Sequence, residues 1–319
     1  DFCSKKINLN FDEACQKFKY LFDRSVKRQL VSDVEIGSYL SGGIDSGSIT
    51  SVASKYIDKL KSFTCGFDLE QVSNLELNYD ERKSARKMSS LFQTQHYESV
   101  LKPGDMERII PKLSWHLEEP RIGQSYPNFH IANYASKFVK VVLSGTGGDE
   151  LFGGYPWRYY LKGNQGNFSK FLDDYHNYWQ RLIKNKDILN FMMPIKKEIK
   201  DYDTSLLFKN VISKHSDKVS SNDDYINLSL YFECKTFLHS LLIVEDKLSM
   251  AHSLETRYPF LDNDIVDFAM KCPLKFKLKN LKNFISIDEN EFRNKQDLFF
   301  LKTNDGKKLL RKSLLKYVP

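Results

Sequence analysis

Cysteine is scarce and scattered: Cys3, Cys15, Cys65, Cys234 and Cys272 are the five in 319 residues, with no C-x-x-C among them. That spacing argues against a zinc knuckle, a redox pair and a disulfide framework, and suits reduced thiols in a cytoplasm. Long apolar runs are missing as well; none approaches the ~20 residues a membrane span needs. The opening DFCSKKINLN is too polar for a signal peptide, and Asp1 in place of Met suggests a chain with residues upstream. Neither internal repeats nor low-complexity tracts occur. Clusters of one charge are missing too. The net charge of +7 comes from 48 Lys and Arg against 41 Asp and Glu spread along the chain. Such a balance suits an anionic ligand such as a nucleotide and does not establish nucleic-acid binding.

What is present is an ordinary globular composition, 41% apolar and 28% charged. It is enough for a sizeable core in one large or two ordinary domains. Residues 11–30 place Phe11, Ala14, Cys15, Phe18, Leu21, Phe22 and Val26 at helical spacing. Asn10 is the expected N-cap, with Glu13 as its capping-box partner. Strand-like and helical stretches then alternate. EIGSYL (35–40), KSFTCGF (61–67), QTQHYESV (93–100) and VKVVLS (139–144) read as strands; SGSITSVASKYI, YDERKSARKMSSLF and YPNFHIANYASKF read as helices. Repeated βα units predict an α/β fold, a parallel sheet with helices on both faces. Beyond about residue 160 the pattern turns helical: FSKFLDDYHNYWQRLIKNK and INLSLYFECKTFLHSLLIVEDKLSMAHSLE read as helices, and strands are hard to find.

In SGGIDS (41–46), Gly42 and Gly43 allow a sharp turn and close approach to a ligand. The free N–H groups of the following helix favour phosphate. Ser41, Ser46 and Ser48 add hydroxyl donors. Asp45 would repel phosphate directly but makes sense as a ligand of Mg²⁺ bridging phosphates. The alternative is a plain βα turn with a serine cap. No Gly-Lys-Ser/Thr follows the loop and no G-x-G-x-x-G occurs there, so neither a Walker A loop nor a Rossmann fingerprint is present.

SGGIDS resembles the pyrophosphate loop of the N-type ATP pyrophosphatases. VVLSGTGGDELFGGY (141–155), HLEEPRIGQSYP (116–127), NYDERKSARKM followed by HYES, and EDKLSMAHSLETRYPFLD (245–262) resemble glutamine-dependent asparagine synthetases, over roughly residues 10–315. The resemblance implies an adenine nucleotide alpha-hydrolase-like fold with a helical C-terminal layer. It also implies ATP-dependent amidation of a carboxylate through an acyl-AMP, with AMP and pyrophosphate released. For the domains it implies 1–32 as helix and linker from a missing glutaminase domain, 33–160 as the ATP pyrophosphatase core, and 161–319 as a helical part completing the acceptor site.

The implied ATP-binding residues are Leu40, Ser41, Gly42, Gly43, Asp45, Ser46, Cys65, Ser144 and Gly145, with Asp45 and Asp149 on Mg²⁺ and Glu150 behind that metal. Cys65 reads equally as a small core residue. The implied catalytic set is Thr146, Lys247, Glu255 and Arg257. A Glu255–Arg257 structural pair stands against Glu255 at the acceptor and Lys247 near the phosphates. His252 and Met250 read as packing residues, and His116 with Glu118 and Glu119 as residues ordering the connecting loop. Two departures stand out. Thr146 occupies the place of the family's usual acid and cannot act as a base, which puts aspartate as acceptor in question. The lysine that assists adenylation is expected beyond residue 319. The implied partners are aspartate, or another carboxylate such as one that closes a ring, and a glutaminase domain or subunit supplying ammonia; a homodimer is also admitted. No nucleic acid and no membrane are expected, and the location is cytoplasmic. The rivals are a non-catalytic ATP-binding homologue and a tRNA-modifying enzyme. The tRNA enzyme would need a binding appendage or a catalytic cysteine pair, and the sequence displays neither.

Overall fold

The computed structural model describes residues 5–68, 70, 80–119, 121, 125–159, 167–180, 183–281 and 303–318. In chain order the elements used below are α1 (Phe11–Gln29), β1 (Ile36–Tyr39), α2 (Ile44–Ala53), β2 (Lys61–Phe67), α3 (Arg82–Phe92), β3 (Gln95–Leu101), α4 (Asp105–Leu117), α5 (Ser125–Ala135), β4 (Val141–Leu143), α6 (Gly148–Phe152), α7 (Phe168–Trp179), α8 (Thr204–Ile212), α9 (Asn222–Lys235), α10 (Phe237–Met250), β5 (Glu255–Arg257), α11 (Asn263–Lys271) and α12 (Lys308–Leu314). Among the described residues no helix is long and apolar enough to cross a membrane.

The capping box at α1 forms as its residues dictate. The Glu13 N–H donates to Asn10 Oδ1 at 3.0 Å, and the Asn10 N–H donates to Glu13 Oε2 at 2.8 Å. Two of the helix's orphan donors are thereby satisfied. Phe18, Phe22 and Val26 on its inner face are fully buried in the main core.

Five strands form one sheet in the order β3-β2-β1-β4-β5, and every neighbouring pair is parallel. Along β4, Val141 and Leu143 enter the core shared with α1, α2, α11 and α12, while Val142 joins α5 on the opposite face. That alternation is the period of two of a strand buried on both sides. A separate aromatic core, with Phe171, Tyr175, Phe208, Tyr225 and Phe232, joins α7, α8 and α9. Strand order reverses at β1: the chain goes from β1 to β2 on one side, while β4 lies on the other. Such a switch point opens a crevice at the C-terminal ends of the strands. The segments 40–43 and 144–147 leave β1 and β4 at that crevice.

One stretch differs from expectation. The stretch 226–255, expected to be helical, runs through α9 and α10, which are broken at Thr236, and ends in β5. The Thr236 hydroxyl donates to the Phe232 carbonyl at 2.8 Å, and its ψ of −66° with φ −119° departs from regular helix. At the far end Ser253 adopts a left-handed φ of 54° and ends the helical run. Glu-Thr-Arg alone is too short to display strand periodicity. Pairing with β4 makes it a strand, with Glu255 opposite Val141 and Arg257 opposite Leu143.

Candidate active site

The first loop is organised by its own serines. The Ser41 N–H donates to Ser46 Oγ at 3.0 Å, the two hydroxyls lie 2.8 Å apart, and the Gly43 N–H donates to Ser41 Oγ at 3.1 Å. No side chain caps α2 at Gly43. The first N–H groups of a helix have no intrahelical acceptor, so they face the crevice with the positive end of the helix dipole. Glu81 packs beside Gly42, and burial pushes its carboxyl above its ordinary value while the neighbouring Ser41 hydroxyl and Gly42 N–H work against the rise. Gly42 and Gly43 do not use a left-handed backbone to turn. Gly42 is required by α3 instead, since a Cβ there would lie 2.8 Å from Ser84 Cβ.

The second loop packs onto the first. A Cβ on Gly145 would lie 3.0 Å from the Ser46 backbone nitrogen, and one on Gly148 would lie 2.7 Å from Asp45 Cγ. Only glycine permits that approach. It brings Asp149, on the first turn of α6, to face Asp45 on the first turn of α2. Between the two carboxylates sits Lys307. Its Nζ is 2.5 Å from Asp45 Oδ2 and 2.6 Å from Asp149 Oδ1, and its side chain is only 9% exposed.

Burial raises the Asp45 carboxyl to about 6; Lys307 pulls it down and Asp149 pushes it up. Asp45 thus remains ionised at neutral pH. Burial alone would depress the Lys307 ammonium, but Asp149 and Asp45 outweigh it and hold the ammonium above its ordinary value. Asp45 Oδ1 is buried and takes no hydrogen bond among the described residues.

Lys307 is the residue that sequence inspection passes over. It lies immediately before α12 in a left-handed backbone conformation, φ 50°. Asp305 holds that approach, accepting from the N–H groups of Lys279 at 2.6 Å, Gly306 at 2.7 Å and Asn280 at 2.9 Å. The weak signal available was N-D-G-K before a short apolar helix, with Gly and Asn suited to left-handed positions.

The remaining anticipated residues divide. Ser144 and Thr146 lie at the crevice, with their hydroxyls 3.2 Å apart. The Thr146 hydroxyl donates to Glu245 Oε2 at 2.8 Å, a contact across 99 residues of sequence. Leu40 is buried, and its backbone is engaged by β2: its N–H donates to the Phe63 carbonyl at 2.9 Å, and its carbonyl accepts from the Thr64 hydroxyl. Cys65 is half-buried, and burial, helped by Asp80, pushes its thiol up to about 12.

Lys247 donates to the Leu117 carbonyl at 2.8 Å and to Glu118 at 2.9 Å, rather than to either aspartate. Glu255 and Arg257 pair with each other at 2.6 Å, and the guanidinium also donates to the Gln29 and Val31 carbonyls. This is the structural pair, and it ties β5 to the end of α1. Glu150 turns into its own loop, accepting from the Gly147 N–H at 3.2 Å and the Tyr155 hydroxyl at 3.1 Å. His252 packs edge-on against Phe129 as expected, whereas Met250 is exposed. Pro120, Ile122, Gly123 and Gln124 of the connecting segment, and Asn78 and Tyr79 before α3, lie outside the described residues.

The family model described as asparagine synthase matches residues 17–319. The chain belongs to the asparagine synthase family. It is 30% identical over 305 residues to asparagine synthetase [glutamine-hydrolyzing] 1 of Bacillus subtilis, covering 86% of this chain and 46% of that protein. Asparagine synthetase [glutamine-hydrolyzing] 3 of the same organism is 29% identical over 301 residues, covering 86% and 45%. The chain thus spans about half the length of these curated relatives. Among solved structures, an NH3-dependent NAD synthetase from Campylobacter jejuni overlaps 67% of this chain and 97% of its own at 16% identity. Its TM-score of 0.29 lends no weight to the assignment.

For a member of this family the donors at the crevice fit the expected ligands. The uncapped start of α2 suits phosphate. Asp45 and Asp149 face each other across a cation, and Asp45 Oδ1 takes no hydrogen bond among the described residues. The described residues hold no cluster of three or more His, Cys, Asp or Glu around a metal. Asp45 and Asp149 are the residues that could hold Mg²⁺, an ion commonly bound through one or two carboxylates together with substrate phosphates.

Proposed function

We propose that this chain is an ATP pyrophosphatase that activates a carboxylate as its acyl-AMP and transfers ammonia to it, forming asparagine from aspartate with ammonia derived from glutamine. The Asp45–Lys307–Asp149 constellation, where the two glycine loops meet, carries the proposal. A carboxylate does not react with ammonia in neutral water because oxide is too poor a leaving group; adenylation supplies a better one. The N–H groups of residues 44–46, at the uncapped start of α2, would bind the β- and γ-phosphates. Asp45 and Asp149 would hold Mg²⁺, which when bound offsets phosphate charge. Lys307 opposes the rise that burial imposes on the Asp45 carboxyl and adds fixed positive charge where pyrophosphate charge develops. Leu40 and Cys65 would line the nucleotide side, and Ser144, Gly145 and Thr146 would lie between nucleotide and acceptor. The division into a core over 33–160 and an acceptor part over 161–319 is proposed with β5 as the strand the second part lends to the first. A glutaminase part, a second copy of the chain and a cytoplasmic location belong to the same proposal.

The test is product analysis with ATP, Mg²⁺, aspartate and ammonium chloride, with other carboxylates as controls. Aspartate-dependent release of AMP and pyrophosphate with asparagine is expected. Release of ADP and phosphate, or nucleotide binding without AMP formation, would refute it.

A further inference from the structure

Amide formation from an activated carboxylate sheds a proton. As ammonia attacks the carbonyl carbon, a C–N bond forms and the C–O bond to AMP breaks. AMP leaves with the bonding pair, and one N–H proton must pass to a base. The side chains that frame the crevice offer few candidates. Asp45 and Asp149 are tied to Lys307. Glu150 is turned into its own loop, and Glu255 is paired with Arg257. Glu81 is held on the phosphate loop. Threonine at 146 and serine at 144 cannot take a proton at neutral pH.

Among the described residues at the crevice, one carboxylate remains. Glu245 lies on α10 and reaches the loop after β4, where it accepts from the Thr146 hydroxyl at 2.8 Å, and the Ser144 hydroxyl lies 3.2 Å from that of Thr146. Tyr39, at the end of β1, and Tyr258, just after β5, lie near enough to feel its charge. The carboxylate is thus framed by groups from three adjacent strand ends, at the crevice where the proposed nucleotide and acceptor meet.

We propose that Glu245, held in place by Thr146 and Ser144, is the base that takes the proton from the attacking ammonia. This rests on the function proposed above. Burial raises the Glu245 carboxyl above its ordinary value while the two hydroxyls work against the rise, and a higher value makes a carboxylate a better proton acceptor. Placing the acid on α10 rather than in the loop leaves residue 146 free to be threonine, whose hydroxyl orients it.

The experiment compares wild type, Glu245→Gln and the double variant Thr146→Glu/Glu245→Gln in the full-length protein, with ammonium chloride as nitrogen source. Two rates are read: aspartate-dependent exchange of pyrophosphate into ATP, which reports adenylation alone, and asparagine formation, which reports both steps. Glu245→Gln is expected to lower asparagine formation by about 100-fold or more while exchange falls far less. The double variant, which returns a carboxylate to the loop, is expected to recover part of the loss. Asparagine formation at the wild-type rate in Glu245→Gln overturns the assignment. So does an equal loss of both rates with no recovery, the mark of a purely structural role. A wild-type protein without exchange overturns the function itself and this role with it. If Glu245→Gln does not fold, Thr146→Val, which removes one hydrogen bond to the carboxylate, must still slow asparagine formation more than exchange; equal effects overturn the proposal.

Discussion

Lys307→Met keeps most of the apolar stem and removes only the charge. In the wild type the buried ammonium lies 2.5 Å and 2.6 Å from two carboxylates that are 13% and 22% exposed. Without it, Asp45 and Asp149 repel each other in a site with little water. Removing one partner of a buried ion pair costs about 3–5 kcal/mol, because the charge left behind is neither solvated nor compensated. The cost depends on pH in a definite direction. The Asp45 carboxyl, already raised by burial, loses the charge that pulls it down, so its penalty is absent at low pH and grows as pH rises through its folded value. Asp45 already stands at about 6 with the lysine present. Urea unfolding at pH 5 and pH 8 should therefore show the variant destabilised at both, with the larger deficit at pH 8. A deficit independent of pH, or a variant as stable as wild type at pH 8, would mean that Lys307 does not neutralise the pair.

Gly148→Ala places a Cβ 2.7 Å from Asp45 Cγ; overpacking of this kind costs about 1–3 kcal/mol. Calorimetry with a non-hydrolysable ATP analogue should show weaker binding than wild type. Glu150 is raised to about 7 by burial and by Asp149. The folded protein keeps that proton as pH rises past the unfolded value, so the group's contribution to stability falls between about 4.5 and 7. Glu150→Gln should gain on wild type by up to about 3 kcal/mol between pH 5 and pH 8 in urea melts; a constant difference would refute the titration. Asn10→Ala removes the cap of α1 and should cost about 1 kcal/mol in thermal unfolding without altering nucleotide binding.

Contiguous features were legible in the residues themselves. The capping box at Asn10 and Glu13 is a local pattern, and it forms. The strands at 36–39, 61–67, 95–101 and 141–143 show as β-rich or apolar runs, and their alternation with helices specifies a parallel sheet. Serine, glycine and aspartate in 41–46 and 144–149 mark two loops at strand ends, because turn chemistry and helix-start chemistry act within a few residues. Assignments resting on side-chain direction fared less evenly. Lys247 and Arg257 are charged residues in the expected segments, yet their heads find Glu118 and the Gln29 and Val31 carbonyls. Local spacing says which residues share a face, not which partner a long flexible side chain reaches.

By itself, then, the order of residues determined the alternating elements, the parallel sheet and the two loops, since each depends on contacts within a turn or on a period of two or 3.6 residues. Tertiary structure alone decided that Lys307, 262 positions from Asp45, neutralises the aspartate pair, that Glu245 arrives beside Thr146, and that Glu-Thr-Arg becomes a strand. The reason is physical: a buried charge chooses its partner by desolvation and distance in space, and a three-residue strand exists only through the neighbour that pairs with it.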